Sequence, residues 1–416
     1  MMNAMFSSCP HRKENIKMGI DNTTRTKLTG KRIGVMFGTF APLHYGHQQE
    51  IYAAAAQNDA VILITSGYKG DRGESVGLDL IKRFRYLREA YNDEPTIQVS
   101  MINEDNIPKY IDKNHNGWKE WAELFAETVR ASMLNPDAPV EYTVYTGDID
   151  YVPELETRMP ALAQSNETWR VKFMDRTAIP VSGTMIRENP MKYWQYINRV
   201  FRRAFTKKVL VVGASSSGKS TLVRRLARSL NAPFSEEYAR VYEQKMNLTD
   251  DELQVNDYIS FFEGQDRANQ HEIESPANQG IVFFDTDAIT TKCYARMYLP
   301  VNTREQWEQV ADVYVKKENP DLILLVPPQR FVDDGFRSLD WADDRAAFNN
   351  ELIRQLSMAG MLDRVVELDD AGSDDDPDGY YARYVHAMQV ITERLNVNMM
   401  TLPEGQLNHD WQYNIG

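Results

Sequence analysis

Val209-Leu210-Val211-Val212-Gly213-Ala214-Ser215-Ser216-Ser217-Gly218-Lys219-Ser220-Thr221 joins a short apolar run to an amphipathic stretch that continues to Leu230. The apolar run reads as a buried strand and the stretch after it as a helix. The turn between them matches G-x-x-x-x-G-K-[ST] in full, in the strand–loop–helix setting that this pattern requires. Backbone N–H groups of such a loop, here from Gly213, Ser215, Ser216, Ser217 and Gly218, cradle phosphates. Lys219 reaches the β- and γ-phosphates, Ser220 holds Mg²⁺, and Thr221 completes the helix start beside them. The stretch therefore predicts a parallel sheet covered by helices, with ATP bound where the first strand gives way to its helix.

Downstream, Ile281–Phe284, Leu322–Val326 and Val365–Leu368 read as further strands and Tyr380–Leu395 as a closing helix. Asp285 and Asp287 follow the first of these strands. An acidic residue at a strand end is the expected Mg²⁺ partner, and the other is a candidate base toward a substrate hydroxyl. The sequence leaves open which is which. Glu237, Tyr238 and Arg240 lie one helix beyond the loop, where an acceptor is contacted. Asp333–Arg337, with Arg345, reads as a lid whose arginines, Arg337 first, close on ATP. Asp369–Gly379 is acidic but lacks calcium-loop spacing, and is expected to be a solvated loop.

Upstream, residues 189–207 turn aromatic and basic and are expected to form a partly packed linker helix whose basic face, Arg202 and Arg203 included, is solvated. Residues 31–188 alternate strand and helix patterns again, so a second parallel α/β domain is expected there. Its strands are expected at Ile33–Phe37, Val61–Thr65, Ile97–Ile102, Tyr142–Tyr145 and Val171–Met174, and its helices at His47–Gln57, Leu80–Tyr91 and Trp118–Met133. The first strand runs into Gly38-Thr39-Phe40-Ala41-Pro42-Leu43-His44-Tyr45-Gly46-His47. Gly38 and Gly46 allow close approach of a nucleotide. His44 and His47 are neighbours at a helix start, where free N–H groups and the helix dipole favour an anion. No Cys or carboxylate nearby completes a metal set around them.

This string resembles the GxFxPxHxGH signature of the nucleotidylyltransferase superfamily. Val181-Ser182-Gly183-Thr184-Met185-Ile186-Arg187 is similar to its later ISxTxxR element. Ser182 and Thr184 fit a phosphate-binding helix start, and Arg187 fits charge neutralisation on a triphosphate. Lys69 and Arg72, in a Gly-rich loop, are further phosphate candidates. Trp118 and Trp121 are candidates either for stacking a ring or for core packing. Asp148 and Asp150 lie where this family carries a different polar string.

A nucleotidylyltransferase domain followed by a P-loop kinase domain resembles the NadR family over about Lys31 to Leu395. The resemblance implies a bifunctional enzyme of NAD salvage. Its kinase domain phosphorylates nicotinamide riboside with ATP to give nicotinamide mononucleotide (NMN). Its transferase domain joins NMN to AMP from a second ATP, giving NAD and pyrophosphate. His44, His47, Arg187, Lys219, Asp285 and Asp287 are then the catalytic set, with Gly38, Thr39, Phe40 and Gly46 on the transferred nucleotide.

Length and composition are consistent with this. The chain has 416 residues, enough for two cores, and expected segments are 1–30 (mobile), 31–188, 189–207, 208–396 and a tail at 397–416. Only two cysteines occur, which excludes a disulfide scaffold and fits the cytoplasm. No apolar stretch is long enough for stable membrane insertion. The net charge of −13 argues against nucleic acid as a partner, and residues 1–30 lack the length and apolar pattern of the family's optional helix-turn-helix. A repressor role is not expected. A homo-oligomer and a transporter contact stay open. Two rival readings also stay open: the same two folds acting on another pair, such as a pantetheine phosphate or cytidylyl substrate, and a nucleotide-sensing regulatory protein.

Overall fold

The computed structural model describes residues 27–107, 116–175, 179–327 and 345–397. The chain divides into two compact units, Met1–Phe205 and Thr206–Gly416. The expectations for residues 1–26, for the segment holding Arg337, and for the tail from 398 lie outside the described residues.

The first unit is built on β1 (Arg32–Gly38), β2 (Ala60–Gly67), β3 (Ile97–Asn103), β4 (Val140–Thr146) and β5 (Glu167–Phe173), in the order β3-β2-β1-β4-β5. Every pairing is parallel. Helices α1 (Tyr45–Gln57), α2 (Leu80–Ala90), α3 (Trp118–Ala131) and α4 (Val152–Ala161) link these strands or cover the sheet. Strands buried on both faces need continuous apolar runs, and Val61-Ile62-Leu63-Ile64 is wholly buried. Two hydrophobic cores result: one around Leu63, Val99, Phe84 and Leu87, the other around Ile62, Val144, Phe125 and Trp169. Because β1 has β2 on one side and β4 on the other, the strand order reverses there. Ligands of such sheets sit outside the strand C-termini at that point.

The second unit has β6 (Lys207–Val212), β7 (Phe234–Ser235), β8 (Ile281–Phe284), β9 (Leu322–Leu325) and β10 (Val365–Glu367), in the order β10-β9-β6-β8-β7. It too is parallel throughout. Its helices are α7 (Lys219–Ser229), α8 (Tyr238–Met246), α9 (Val255–Glu274), α10 (Ala288–Tyr298), α11 (Arg304–Glu318), α12 (Arg345–Met358) and α13 (Tyr380–Leu395), while α5 (Gly183–Glu188) and α6 (Arg199–Arg202) belong to the first unit. Leu210 is opposite Phe284 and Val212 opposite Leu325, so the loops after β6, β8 and β9 emerge side by side.

Three sequence expectations need correction. Residues 189–205 are no linker: Trp194, Ile197, Phe201 and Phe205 are buried in the first unit's core. Their helical part, α6, is only Arg199–Arg202. The basic face is used rather than solvated, since Arg202 lies 5.5 Å from the Trp194 ring and Arg203 lies 4.5 Å from the Tyr86 ring. Leu28, placed in the mobile lead-in, is buried and bridges to Met133, with hydrogen bonds to Ser132 and Leu134. Val397, placed in the tail, is buried as well. The acidic loop at 369–379 is largely exposed, as expected for a solvated loop, and is anchored where Asp376 accepts the Tyr381 and Ala382 N–H groups at the start of α13 and Asp370 meets His386 at 2.8 Å.

One charged pair organises the loop after β2. Arg83 sits on the buried face of α2 with Phe84 and Leu87 and is itself fully buried. It grips Asp71 bidentately, at 2.9 and 2.6 Å, and also donates to the Leu78 and Ser66 carbonyls. Asp71 in turn accepts the Gly73 and Glu74 N–H groups. Burial pushes the Asp71 carboxyl up, but the hydrogen bonds and charge of Arg83 outweigh it and hold the group below the usual carboxylate range.

Removing one member of such a pair strands the other. Arg83→Met is therefore expected to lower the unfolding free energy of the first unit by about 3–5 kcal/mol near neutral pH. Asp71 has a depressed folded pKa, so its share of this stability is complete above the ordinary carboxylate pKa of about 4 and is lost as pH falls through the folded value. Urea denaturation at neutral and acid pH checks this: the gap between wild type and variant should narrow in acid.

Candidate functional sites

At the end of β1 the chain turns sharply. Phe40 takes a left-handed φ of 47°, which a non-glycine residue rarely adopts. Its ring is buried and packs edge-on against His47 at 5.0 Å, which holds the strained turn in place. His44 is the N-cap residue of α1, and the His44 and His47 rings stack with centroids 3.8 Å apart. A Cβ on Gly46 would stand 3.1 Å from the His44 ring, so this glycine makes room for the imidazole. The sequence reading had given that room to the nucleotide.

Arg187 lies on α5 (Gly183–Glu188) and ties the two motifs together. Nη1 donates to the Ala41 carbonyl at 2.8 Å and Nη2 to the Thr184 hydroxyl at 2.9 Å. Ser182 caps the same helix by accepting Met185 N–H at 3.2 Å. Arg72, presented by the Asp71–Arg83 loop, donates to the Thr39 hydroxyl at 3.2 and 2.8 Å. Burial, and then the neighbouring Arg72 charge, hold the Arg187 guanidinium below its usual range. Two guanidinium groups and two imidazoles thus converge where the first strand ends, an arrangement suited to a polyanion. Lys69 is exposed, with its N–H donated to Asp105, and does not line the adjoining cavity.

That cavity, of about 460 Å³, is lined by Gly38, Thr39, Arg72, Glu104, Trp118, Trp121, Asp148 and Tyr151, among others. The two tryptophans differ. Trp121 is a core residue, stacked on Phe125 at 4.8 Å, whose indole N–H donates to the buried Glu104 at 3.1 Å. Trp118 is half-buried and stands edge-on to both Trp121 and Tyr151. Asp148 lines the cavity and accepts Asp150 N–H, whereas Asp150 is exposed and does not line it. Glu104 and Tyr151 were not singled out in the sequence: each is one polar or aromatic residue just past a strand, with no motif around it.

In the second unit, the loop after β6 wraps closely on its neighbours. A Cβ on Gly213 would run into the Val326 carbonyl, and one on Gly218 would stand 2.6 Å from the Tyr380 ring. Lys219 folds back to donate to the Ala214 carbonyl at 2.9 Å. The Ser217 hydroxyl is buried, with no hydrogen-bond partner among the described residues. Thr221 is exposed beside Tyr380 and Arg383, and Arg383 donates to the Ser217 carbonyl at 3.4 Å.

The two aspartates after β8 separate cleanly. Asp285 faces the loop: burial pushes its carboxyl up, while Lys219 and the Ser220 hydroxyl act in the opposite direction. Its Oδ1 is buried with no hydrogen-bond partner among the described residues. A buried carboxylate oxygen beside a loop serine fits a hard cation that prefers oxygen ligands. Asp287 turns inward instead and caps α10, accepting Thr290 N–H at 2.9 Å. Burial raises it too, and burial followed by the Asp287 charge raises its buried neighbour Glu318. Among the described residues no group of three or more His, Cys, Asp or Glu side chains is disposed to hold a metal.

A cavity of about 520 Å³ opens next to Thr286. Glu237, Glu243, Asp250 and Glu252 line it, against a single guanidinium, Arg240, among the described residues. Of the residues expected from the sequence as acceptor contacts, Glu237 and Arg240 line this cavity. Tyr238 does not: its ring packs on Gly264, and its N–H donates to Gln265 at 2.8 Å. Arg345 opens α12, and Arg337 lies outside the described residues.

Comparison with known proteins gives a consistent picture. The AAA domain family matches residues 208–372. The trifunctional NAD biosynthesis/regulator protein NadR of Escherichia coli (strain K12) is 29% identical over 376 residues, covering 88% of this chain and 84% of its own. That of Salmonella typhimurium is 31% identical over 337 residues, covering 78% and 76%. A crystal structure of NadR protein in complex with NR superposes with a TM-score of 0.79 at 50% identity, covering 89% of this chain and 98% of that one. A crystal structure of NadR protein in complex with NAD and AMP-PNP gives 0.77 and 49%, with the same coverage.

The different settings of Asp285 and Asp287 predict opposite effects on stability. Asp287→Ala removes a helix cap and should lower the unfolding free energy of the second unit by about 1–2 kcal/mol. Asp285→Ala removes a buried charge and should leave stability unchanged or raise it. Chemical denaturation without nucleotide, followed by far-ultraviolet circular dichroism, distinguishes the two.

Proposed function

This chain belongs to the NadR family, and from that premise we propose how its two units share the making of NAD. The second unit transfers the γ-phosphoryl group of ATP to the 5′-hydroxyl of nicotinamide riboside, giving NMN and ADP. The first unit transfers AMP from a second ATP to the phosphate of NMN, giving NAD and pyrophosphate.

The observation that carries this reading is that each sheet edge has its own phosphate-binding turn and its own cavity, and that the cavities differ in charge. Nicotinamide riboside is a cation without a phosphate. Among the described residues the second unit's cavity presents four carboxylates and one guanidinium, which suits that cation and disfavours an already phosphorylated one. The first unit's cavity has Arg72 on its wall and Trp118 beside carboxylates, which suits a molecule carrying both a phosphate and a pyridinium ring.

In the second unit, the backbone N–H groups from Gly213 to Gly218 and the Lys219 ammonium hold the triphosphate. Lys219 exchanges its contact with Ala214 for the β- and γ-phosphates. Asp285 and Ser220 would hold Mg²⁺, which would supply charge neutralisation on the phosphates. Glu237 and Arg240 orient the riboside, and Asp287 keeps the start of α10 in place. Catalysis is then positioning and charge stabilisation, as expected for a loose phosphoryl transition state.

In the first unit, an NMN phosphate oxygen attacks the α-phosphorus of ATP, the bond to the β-phosphate oxygen breaks, and pyrophosphate leaves. His44, His47, Arg72 and Arg187 stabilise the charge on the transferring and leaving groups, so no protein nucleophile is needed. Trp118 stacks the nicotinamide, while Trp121 and Glu104 form the floor beneath it. Phe40 and Gly46 shape the histidine turn, and Ser182 and Thr184 order the helix that carries Arg187. We place both reactions in the cytoplasm on the cysteine count. Among the described residues no helix is long and apolar enough to cross a membrane.

Incubation with nicotinamide riboside, ATP and Mg²⁺ should yield NMN and NAD, and absence of both would refute the assignment. Lys219→Ala is expected to reduce kinase turnover by at least about a hundredfold while sparing adenylyl transfer to supplied NMN. His47→Ala should do the reverse. Loss of both activities in either folded variant would contradict two independent sites.

A further inference from the structure

The cavity of the second unit has two walls that are distant in sequence. One is the stretch that supplies Glu237 and Arg240, and the other supplies Thr286, Thr290 and Thr291. Behind both runs a line of buried polar side chains, none of which lines the cavity. Glu318, the last residue of α11, accepts Ala288 N–H through Oε2 at 2.8 Å and Asn269 Nδ2 through Oε1 at 3.2 Å. Asn269 Oδ1 accepts the Ser235 hydroxyl at 2.5 Å and Gln265 Nε2 at 3.0 Å. Gln265 accepts Tyr238 N–H at 2.8 Å and donates to the Glu236 carbonyl at 3.1 Å. The line therefore runs unbroken from the start of α10 to the two peptide groups that bracket Glu237.

Gln265, Asn269 and Glu318 are 1%, 1% and 5% exposed. Burying two amides and a carboxylate is unfavourable unless every group is paired, and apolar side chains of the same volume would hold α9 and α11 on the sheet without that cost. Hydrogen bonds add what apolar packing lacks, a fixed distance and direction at each end. Here both ends are backbone groups of the cavity walls.

We propose that Gln265, Asn269 and Glu318 act as positioning residues that set the spacing between the Glu237 wall and the Thr286–Thr291 wall, and so determine how the acceptor is held against the phosphoryl donor. This rests on the kinase reading of the second unit. None of the three touches the acceptor; each acts through the backbone it holds.

Gln265→Met keeps the side-chain length and removes both backbone contacts. It should raise the KM for nicotinamide riboside about tenfold, with the KM for ATP within about twofold of wild type. Adenylyl transfer to supplied NMN, measured on the same chain, should be unchanged. Asn278→Leu is the control. Its buried amide bonds to Thr206, Ile273 and Gly280 at the opposite edge of the sheet, so it should lower the melting temperature without moving the acceptor KM. Glu318→Gln, a milder change at the far end of the line, should raise the acceptor KM about threefold.

An acceptor KM within about twofold of wild type in each variant that binds ATP, or a rise matched by Asn278→Leu, would overturn the proposal. So would loss of ATP binding in both Gln265→Met and Glu318→Gln, since the line would then hold the fold and not the walls. Wild-type turnover of nicotinamide riboside is measured first. Its absence would sink the kinase reading, and this proposal with it, whereas wild-type turnover with unmoved variants sinks the proposal alone.

Discussion

A parallel sheet buried on both faces makes every strand leave the core at the same edge. In each unit of this chain that constraint gathers the chemistry. After β1, β2 and β4 it brings out the histidine turn, the Arg72 loop and Asp148 together. After β6, β8 and β9 it brings out the phosphate loop, Asp285 and Val326. The register makes the placement specific: with Leu210 opposite Phe284, Asp285 can only emerge beside the loop that begins at Gly213. The helix that must follow each strand then presents its N-terminal N–H groups at the same edge, so anion affinity comes with the architecture. Side chains refine a site that the backbone has already located.

Much of this was legible in the sequence because it is local. The phosphate loop, the histidine string and the strands around them are contiguous, and helix α13 begins and ends where its pattern predicts. Stretches whose meaning depends on a distant partner were not legible. Arg202 and Arg203 read as a solvated linker face, yet they cover the Trp194 and Tyr86 rings, and the Trp194, Ile197, Phe201 and Phe205 spacing beneath them is that of an ordinary buried face. Nothing in the sequence marks Arg83, because its partner Asp71 comes from the preceding loop. Asp285 and Asp287 are equivalent as letters, and only the direction of each carboxylate tells the loop partner from the helix cap.

The two sites also differ in how their polar groups are supported. In the first unit the support is ionic and close at hand: the Asp71–Arg83 pair shapes the loop that lays Arg72 on Thr39. In the second it is carried by uncharged amides around one enclosed carboxylate, Glu318. An ion pair fixes one loop against one helix. A line of amides spans several elements, because each amide both donates and accepts.

The carboxylates around the second unit's cavity have a further consequence. On the reading above, the riboside arrives as a monocation and departs, once phosphorylated, with a net negative charge. The same wall that draws the reactant in therefore repels the product, and the free energy of that reversal comes from ATP rather than from any movement of the protein. Turnover in such a cavity gains an outward bias: the molecule that has just been made is the one least welcome to stay.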